Sequence, residues 1–186
     1  LKFKDAKKDE IIICSYNLKE MVDIPRILKF KIILVDINRK DGSLDIKKIL
    51  KKINNKTSAI LITNNFSSYS DLIKIRNITK KKKILLIEDN AIYYGNYKRT
   101  KNGKKFAGSF GDVSILSFGI MKNVSALYGG AVLTNSREIS YETQATEYSD
   151  NIDFTPREET TEDFYIFKNL EITIGNAIIL DPTDIY

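Results

Sequence analysis

The sequence contains no histidine, a single cysteine, and no apolar stretch long enough to cross a bilayer as a helix. Without histidine, His-based catalytic triads and His metal ligands are excluded within these residues. One cysteine, Cys14, excludes an internal disulfide, so a reducing cytoplasm is the expected location. Cys14 lies inside an apolar run, which suits a packed thiol better than a nucleophile. No secretory leader, membrane partner or internal repeat is expected.

What is present suits a soluble globular domain. The 186 residues are 42% hydrophobic and 29% charged, enough to bury a sizeable core as one unit, 1–186. The net charge of +6 is concentrated in two places. Lys80 to Lys83 close an expected helix, where cations complement the dipole, so a solvated helix end is the preferred reading. Lys98, Arg99, Lys101, Lys104 and Lys105 fall in an expected loop, free either to meet a nucleotide diphosphate or to be solvated. A basic surface attracts nucleic acid irrespective of sequence. No nucleic-acid motif accompanies this one and no aromatics interleave with it, so no nucleic-acid partner is expected.

Apolar patterning predicts alternating strands and helices. Strands are expected at 11–14, 32–35, 59–62, 84–87, 113–116 and 131–134. Helices are expected at 17–30, disturbed near Pro25, at 44–53 with Ser43 as its cap, and at 71–82. Two more are expected at 137–148 and 164–180, separated by a polar, acidic loop at 149–163. The alternation implies an α/β fold of three layers with a mostly parallel central sheet.

The most informative stretch runs from Ile84 to Asn135. An apolar run, Ile84 to Ile87, ends in Glu88 and Asp89. A second, Val113 to Leu116, ends at Ser117, with Lys122 five residues on. Short continuous apolar runs suit strands buried on both faces, and functional groups collect at the carboxyl ends of such strands. Asp89, Ser117 and Lys122 therefore belong to one rim. A lysine amine can hold an aldehyde cofactor, an acid can keep a pyridine nitrogen protonated, and a hydroxyl can bind phosphate. Each also has a plainer reading: Asp89 as a cap for the residues after it, Ser117 as a turn hydroxyl, Lys122 as one more solvated lysine.

Order and context favour the first reading. The segments IleGluAspAsnAla, GlySerPheGlyAsp, SerPhe with a lysine five residues past the serine, and GlyGlyAlaValLeuThrAsn resemble the signature of the DegT/StrS-type sugar aminotransferases, which are fold-type I pyridoxal phosphate enzymes. The segments at 9–16, 32–37 and 169–175 extend the resemblance over nearly the whole chain. It implies pyridoxal 5′-phosphate as cofactor, with Lys122 the lysine that carries it, Asp89 the partner of its ring nitrogen and Ser117 a phosphate contact. It implies a nucleotide-linked keto sugar as substrate, an amino acid as amino donor, and a homodimer.

The family pattern also departs here. Leu18 falls where the family stacks an aromatic on the cofactor, Ile92 where it has Gln or His, and Tyr128 where it has Glu. The family's upstream glycine-hydroxyl loop and smaller C-terminal domain find no match. These residues are therefore expected to be the middle of a larger enzyme, the small domain absent. A dehydratase branch of the family replaces the lysine by histidine, which Lys122 argues against. The rival expectation is a non-catalytic member that keeps the fold as a scaffold.

Overall fold

A computed structural model describes residues 7–39, 42, 45–64, 72–93, 95, 97–101, 103–127, 129–137, 139 and 177–180. Apolar runs become strands β1 (Glu10–Cys14), β2 (Lys31–Val35), β3 (Thr57–Thr63) and β4 (Leu85–Asp89). Between them lie helices α1 (Lys19–Ile27), α2 (Ile46–Lys52) and α3 (Leu72–Lys82). A ribbon follows, formed by β5 (Tyr97–Thr100) and β6 (Gly103–Phe106), then β7 (Val113–Ser117), β8 (Gly130–Leu133) and β9 (Ala177–Leu180).

Seven strands form one sheet in the order β2-β1-β3-β4-β7-β8-β9, with β5 and β6 paired apart from it. The β2-β1-β3-β4-β7 run is parallel throughout. Because alternate residues of a strand face opposite sides, β1 serves two cores at once. Ile12 and Cys14 join Ile46 and Ile49 of α2 and Leu72 and Ile75 of α3, while Ile11 and Ile13 face Met21 of α1. Helices therefore cover both faces, giving the three-layer α/β architecture. Each fully buried Ile or Leu in this sheet contributes about 1.5–3 kcal/mol relative to an exposed one. Cys14 is buried, and burial pushes its thiol pKa up.

Several expectations need correction. The basic segment read as a loop is an antiparallel ribbon, with Tyr97 opposite Phe106 and the two rings 5.7 Å apart. The sheet is mostly parallel, as expected, with β8 antiparallel to β7. Nothing in the four residues of β8, Gly130 to Leu133, encodes strand direction. The cap of α2 is Asp45, whose side chain accepts from the Lys48 N–H at 3.2 Å; Ser43 lies outside the described residues. Helix α1 runs through Pro25 and stops two residues later, leaving Ile27 77% exposed rather than on a buried face. Residues 177–180, expected to end a helix, form β9, parallel to β8. Arg137 and Ile139 have helical backbone. The rest of the expected 137–148 helix, the 149–163 loop and residues 164–176 lie outside the described residues. Among the described residues, no helix is long and apolar enough to cross a membrane.

Candidate active site

The strand order reverses between β1 and β3: β1 leads outward to β2, while the chain then returns past β1 to build β3, β4 and β7. In open parallel sheets a crevice forms outside the carboxyl ends of the two strands at such a reversal, and ligands bind there. A cleft of about 360 Å³ occupies that place, lined by Tyr16, Asn17 and Leu18 beyond β1, Thr63 of β3, Asp89, Ala91 and Ile92 at the end of β4, and Lys122.

Asp89 and Lys122 are thus brought together. Asp89 is buried, and burial raises its carboxyl pKa. Three neighbours oppose that rise: the Ala91 N–H donating at 3.0 Å, the Lys122 cation, and the Thr63 hydroxyl. Thr63 is itself fixed by Asn17, whose Nδ2 donates to its Oγ1 at 2.7 Å. The ends of β1, β3 and β4 are so linked into one polar chain aimed at Asp89. The Asp89–Ala91 bond spans two residues and closes a turn rather than capping a helix. Ser117 ends β7 on the same rim but is not among the residues lining the cleft. Ser117 Oγ and Lys122 Cγ lie 3.8 and 3.9 Å from where a side chain on Gly119 would begin.

The raised Asp89 pKa has a stability consequence. The folded chain holds that proton to higher pH than the unfolded chain, so the contribution of Asp89 to stability falls as pH rises from the ordinary aspartate range through the folded pKa. Asp89→Asn, which keeps an acceptor for Ala91, is expected to unfold at higher denaturant than the parent at pH 7. The gap should shrink on acidification below pH ~4. Urea midpoints across pH measure this, and a pH-independent gap would overturn it.

The neighbouring carboxylate has a different task. Glu88 points to the opposite face, fully buried, and holds the loop between the ribbon and β7. Its Oε1 accepts from the Phe110 N–H at 2.7 Å and from the Gly111 N–H, and its Oε2 from the Gly108 N–H at 3.1 Å. Gly108 has φ +90° and sits so close to Ser114 that a Cβ would come within 2.7 Å of its Oγ, so only glycine fits. Asn64 donates to Asn90 Oδ1 and Asn90 to Ser114 Oγ, each at 2.8 Å, completing a buried network beside the clamp. Asp112 ends the loop by accepting from Arg76 at 2.6 Å and from the Leu86 N–H at 2.9 Å. Burial raises the Glu88 pKa against these donors. The groups donating to both oxygens are N–H groups, which suit the ionised carboxylate.

Sequence reasoning missed Tyr16, Asn17 and Thr63 as members of the cleft. A strand order placing β1 beside β3 was the information needed, and the linear sequence does not carry it. The residues present fit pyridoxal phosphate in their chemistry: a buried acid and an amine share one cleft. Leu18 and Ile92 add apolar walls, and Tyr16 supplies an aromatic ring.

Comparison with known proteins bears on the family and the fold. The family model of the DegT/DnrJ/EryC1/StrS aminotransferase family matches residues 1–150. GDP-perosamine synthase of Escherichia coli O157:H7 is 29% identical over 134 residues, which are 72% of this chain and 36% of that protein. GDP-4-keto-6-deoxy-D-mannose 3-dehydratase of Yersinia pseudotuberculosis is 33% identical over 105 residues, 56% of this chain and 26% of that protein. Among solved structures, the Helicobacter pylori aminotransferase PseC, involved in the biosynthesis of pseudoaminic acid, superposes with a TM-score of 0.69 at 22% identity. That match covers 78% of this chain and 38% of PseC. The chain thus spans about a third of the length of the curated relatives it matches. With the reversed strand order, the acid and lysine in one cleft and a match across 150 residues, this chain belongs to the DegT/DnrJ/EryC1/StrS aminotransferase family.

Proposed function

We propose that these residues form the cofactor-bearing part of a pyridoxal 5′-phosphate-dependent aminotransferase that acts on a nucleotide-linked keto sugar and takes its amino group from an amino acid. The observation that carries the reading is the meeting of Asp89 and Lys122 in the cleft at the β1/β3 reversal. When bound, pyridoxal phosphate supplies an electron-accepting ring. Asp89 keeps the ring nitrogen protonated, since a cation beside a buried carboxylate favours the charged form of both. Lys122 Nζ would hold the cofactor's aldehyde carbon and, once the donor's amine has displaced it, would be free to carry a proton from the donor's α-carbon to the carbon it had held. Ser117, which ends β7 on the same rim, would bind the phosphate. Amination is favoured over dehydration because Lys122 occupies the position where the dehydratase branch has histidine, and the sequence has none.

The loop carrying Lys122 exposes Ile120, Met121, Val124 and Leu127, with Met121 92% exposed. An isologous second copy would cover such a surface, in keeping with a homodimer.

The test is cofactor retention. Protein loaded with pyridoxal phosphate and dialysed should keep visible absorbance, and Lys122→Ala should lose it. Equal retention in both, or none in either, would remove the aminotransferase reading and leave a scaffold that keeps the family fold without its chemistry.

A further inference from the structure

The rim opposite the cleft carries a second cavity, of about 520 Å³. It opens where β3, β4 and β7 begin, and because β8 is antiparallel the chain returns to the same rim at Ser136. Lys8, Arg76, Lys80 and Lys83 line it, together with one carboxylate, Asp112. Both oxygens of that carboxylate are already engaged, one by Arg76 and the other by the Leu86 N–H. Four cations thus converge on a concave wall whose acid is already satisfied, and a cavity lined by one sign of charge concentrates ions of the other.

A plainer account is that Lys80 and Lys83 only complement the carboxyl end of α3. Lys8 is not part of α3: it comes from ahead of β1, donates to the Lys83 carbonyl at 3.4 Å, and so brings a cation from a second segment to the same wall. The backbone of Lys83 belongs to that helix end. Its φ of +52° is the left-handed conformation that normally ends a helix with glycine. The Ile84 N–H donates back to the Thr79 carbonyl at 2.9 Å, as in such helix ends. Lys29 ends α1 in the same way, with φ +62°, so this backbone is a helix ending, and here it sets Lys83 on the cavity wall.

We propose that this cavity binds a phosphorylated small molecule, with Lys80, Lys83 and Lys8 on the phosphoryl oxygens. Lysines serve as point charges for phosphate, and Arg76, tethered at Nη1, has further N–H donors. The volume falls in the range of small-molecule sites rather than that of a bare ion.

The experiment titrates inorganic pyrophosphate, then ADP, into the full chain by calorimetry at ionic strength fixed with sodium chloride. The parent is compared with Lys80→Gln/Lys83→Gly and with Lys122→Ala. Lys83→Gly relieves the left-handed backbone, so loss of binding there cannot be ascribed to misfolding. Saturable 1:1 binding is expected, at least tenfold weaker in the double variant and unchanged in Lys122→Ala, with ADP binding at least as tightly as pyrophosphate. Absence of saturation, equal binding in the double variant, or loss in Lys122→Ala would each overturn the assignment, the last by moving the anion to the opposite cleft. Binding of pyrophosphate with exclusion of ADP would also overturn it, since a site for the bare anion is not a site for a small molecule.

Discussion

Glu88→Ala is expected to cost about 4 kcal/mol of folding free energy, most of what a domain of this size has to spare. The substitution removes the carboxylate that accepts from the N–H groups of Gly108, Phe110 and Gly111. Each unsatisfied donor costs about 1–3 kcal/mol. The bonds are not independent, because the loop would shift and recover part of the loss. Relaxation is limited on one side by Phe110, fully buried in the core, and on the other by Gly111, where a Cβ would come within 2.7 Å of the Leu86 carbonyl. Glu88→Gln should cost less, about 2 kcal/mol, since one oxygen remains while its amide group faces donors. Urea midpoints of the three proteins measure both effects. A Glu88→Ala midpoint within ~1 kcal/mol of the parent would show that the clamp is not what holds the loop.

The second large effect falls on chemistry and leaves the fold in place. In the proposed aminotransferase, Lys122→Ala is expected to lower amination at least about 10⁴-fold, because one amine both holds the cofactor and moves the proton. Lys122 is half-buried on a loop with exposed apolar neighbours, so its removal takes little from the core. Lys122→Arg separates charge from chemistry. It keeps a cation near Asp89, but a guanidinium does not give up its proton at working pH. Arg should therefore be as inactive as Ala while leaving Asp89 less perturbed. Single-turnover amination of a nucleotide-linked keto sugar measures this, and activity within tenfold of the parent in either variant would remove Lys122 from the reaction.

How much of this could be read from the sequence depended on what each residue answers to. The runs at 84–87 and 113–116 were legible as strands because burial on both faces demands unbroken apolar residues. The β5–β6 ribbon was not, since Lys and Arg fill it and only Tyr97 and Phe106 mark its pairing. The cap of α2 moved from Ser43 to Asp45 because both are good caps and local sequence ranks them closely. Asp89, Ser117 and Lys122 were picked out together by motif spacing. The structure lines one cleft with the first and third and ends β7 with the second, outside that lining. The adjacent acid, Glu88, looked equivalent on paper, and strand alternation separates the two: one side chain turns to the cleft, the other to the loop. Asn17 and Thr63 meet only because β1 and β3 are neighbours, a fact of topology rather than of composition.

That topology also governs when the cleft comes into being. Its walls come from the segments after β1, at the end of β3, after β4 and beyond β7, joined across parallel strands that pair only after long stretches of chain have closed. Contacts of such sequence separation form late, because the entropy of closing each loop is spent before the contact returns anything. A chain that has folded only as far as β3 has Tyr16, Asn17 and Thr63 but neither the acid nor the lysine. The cleft is thus complete only in the finished sheet, and a ligand in it slows unfolding without guiding the chain to its fold.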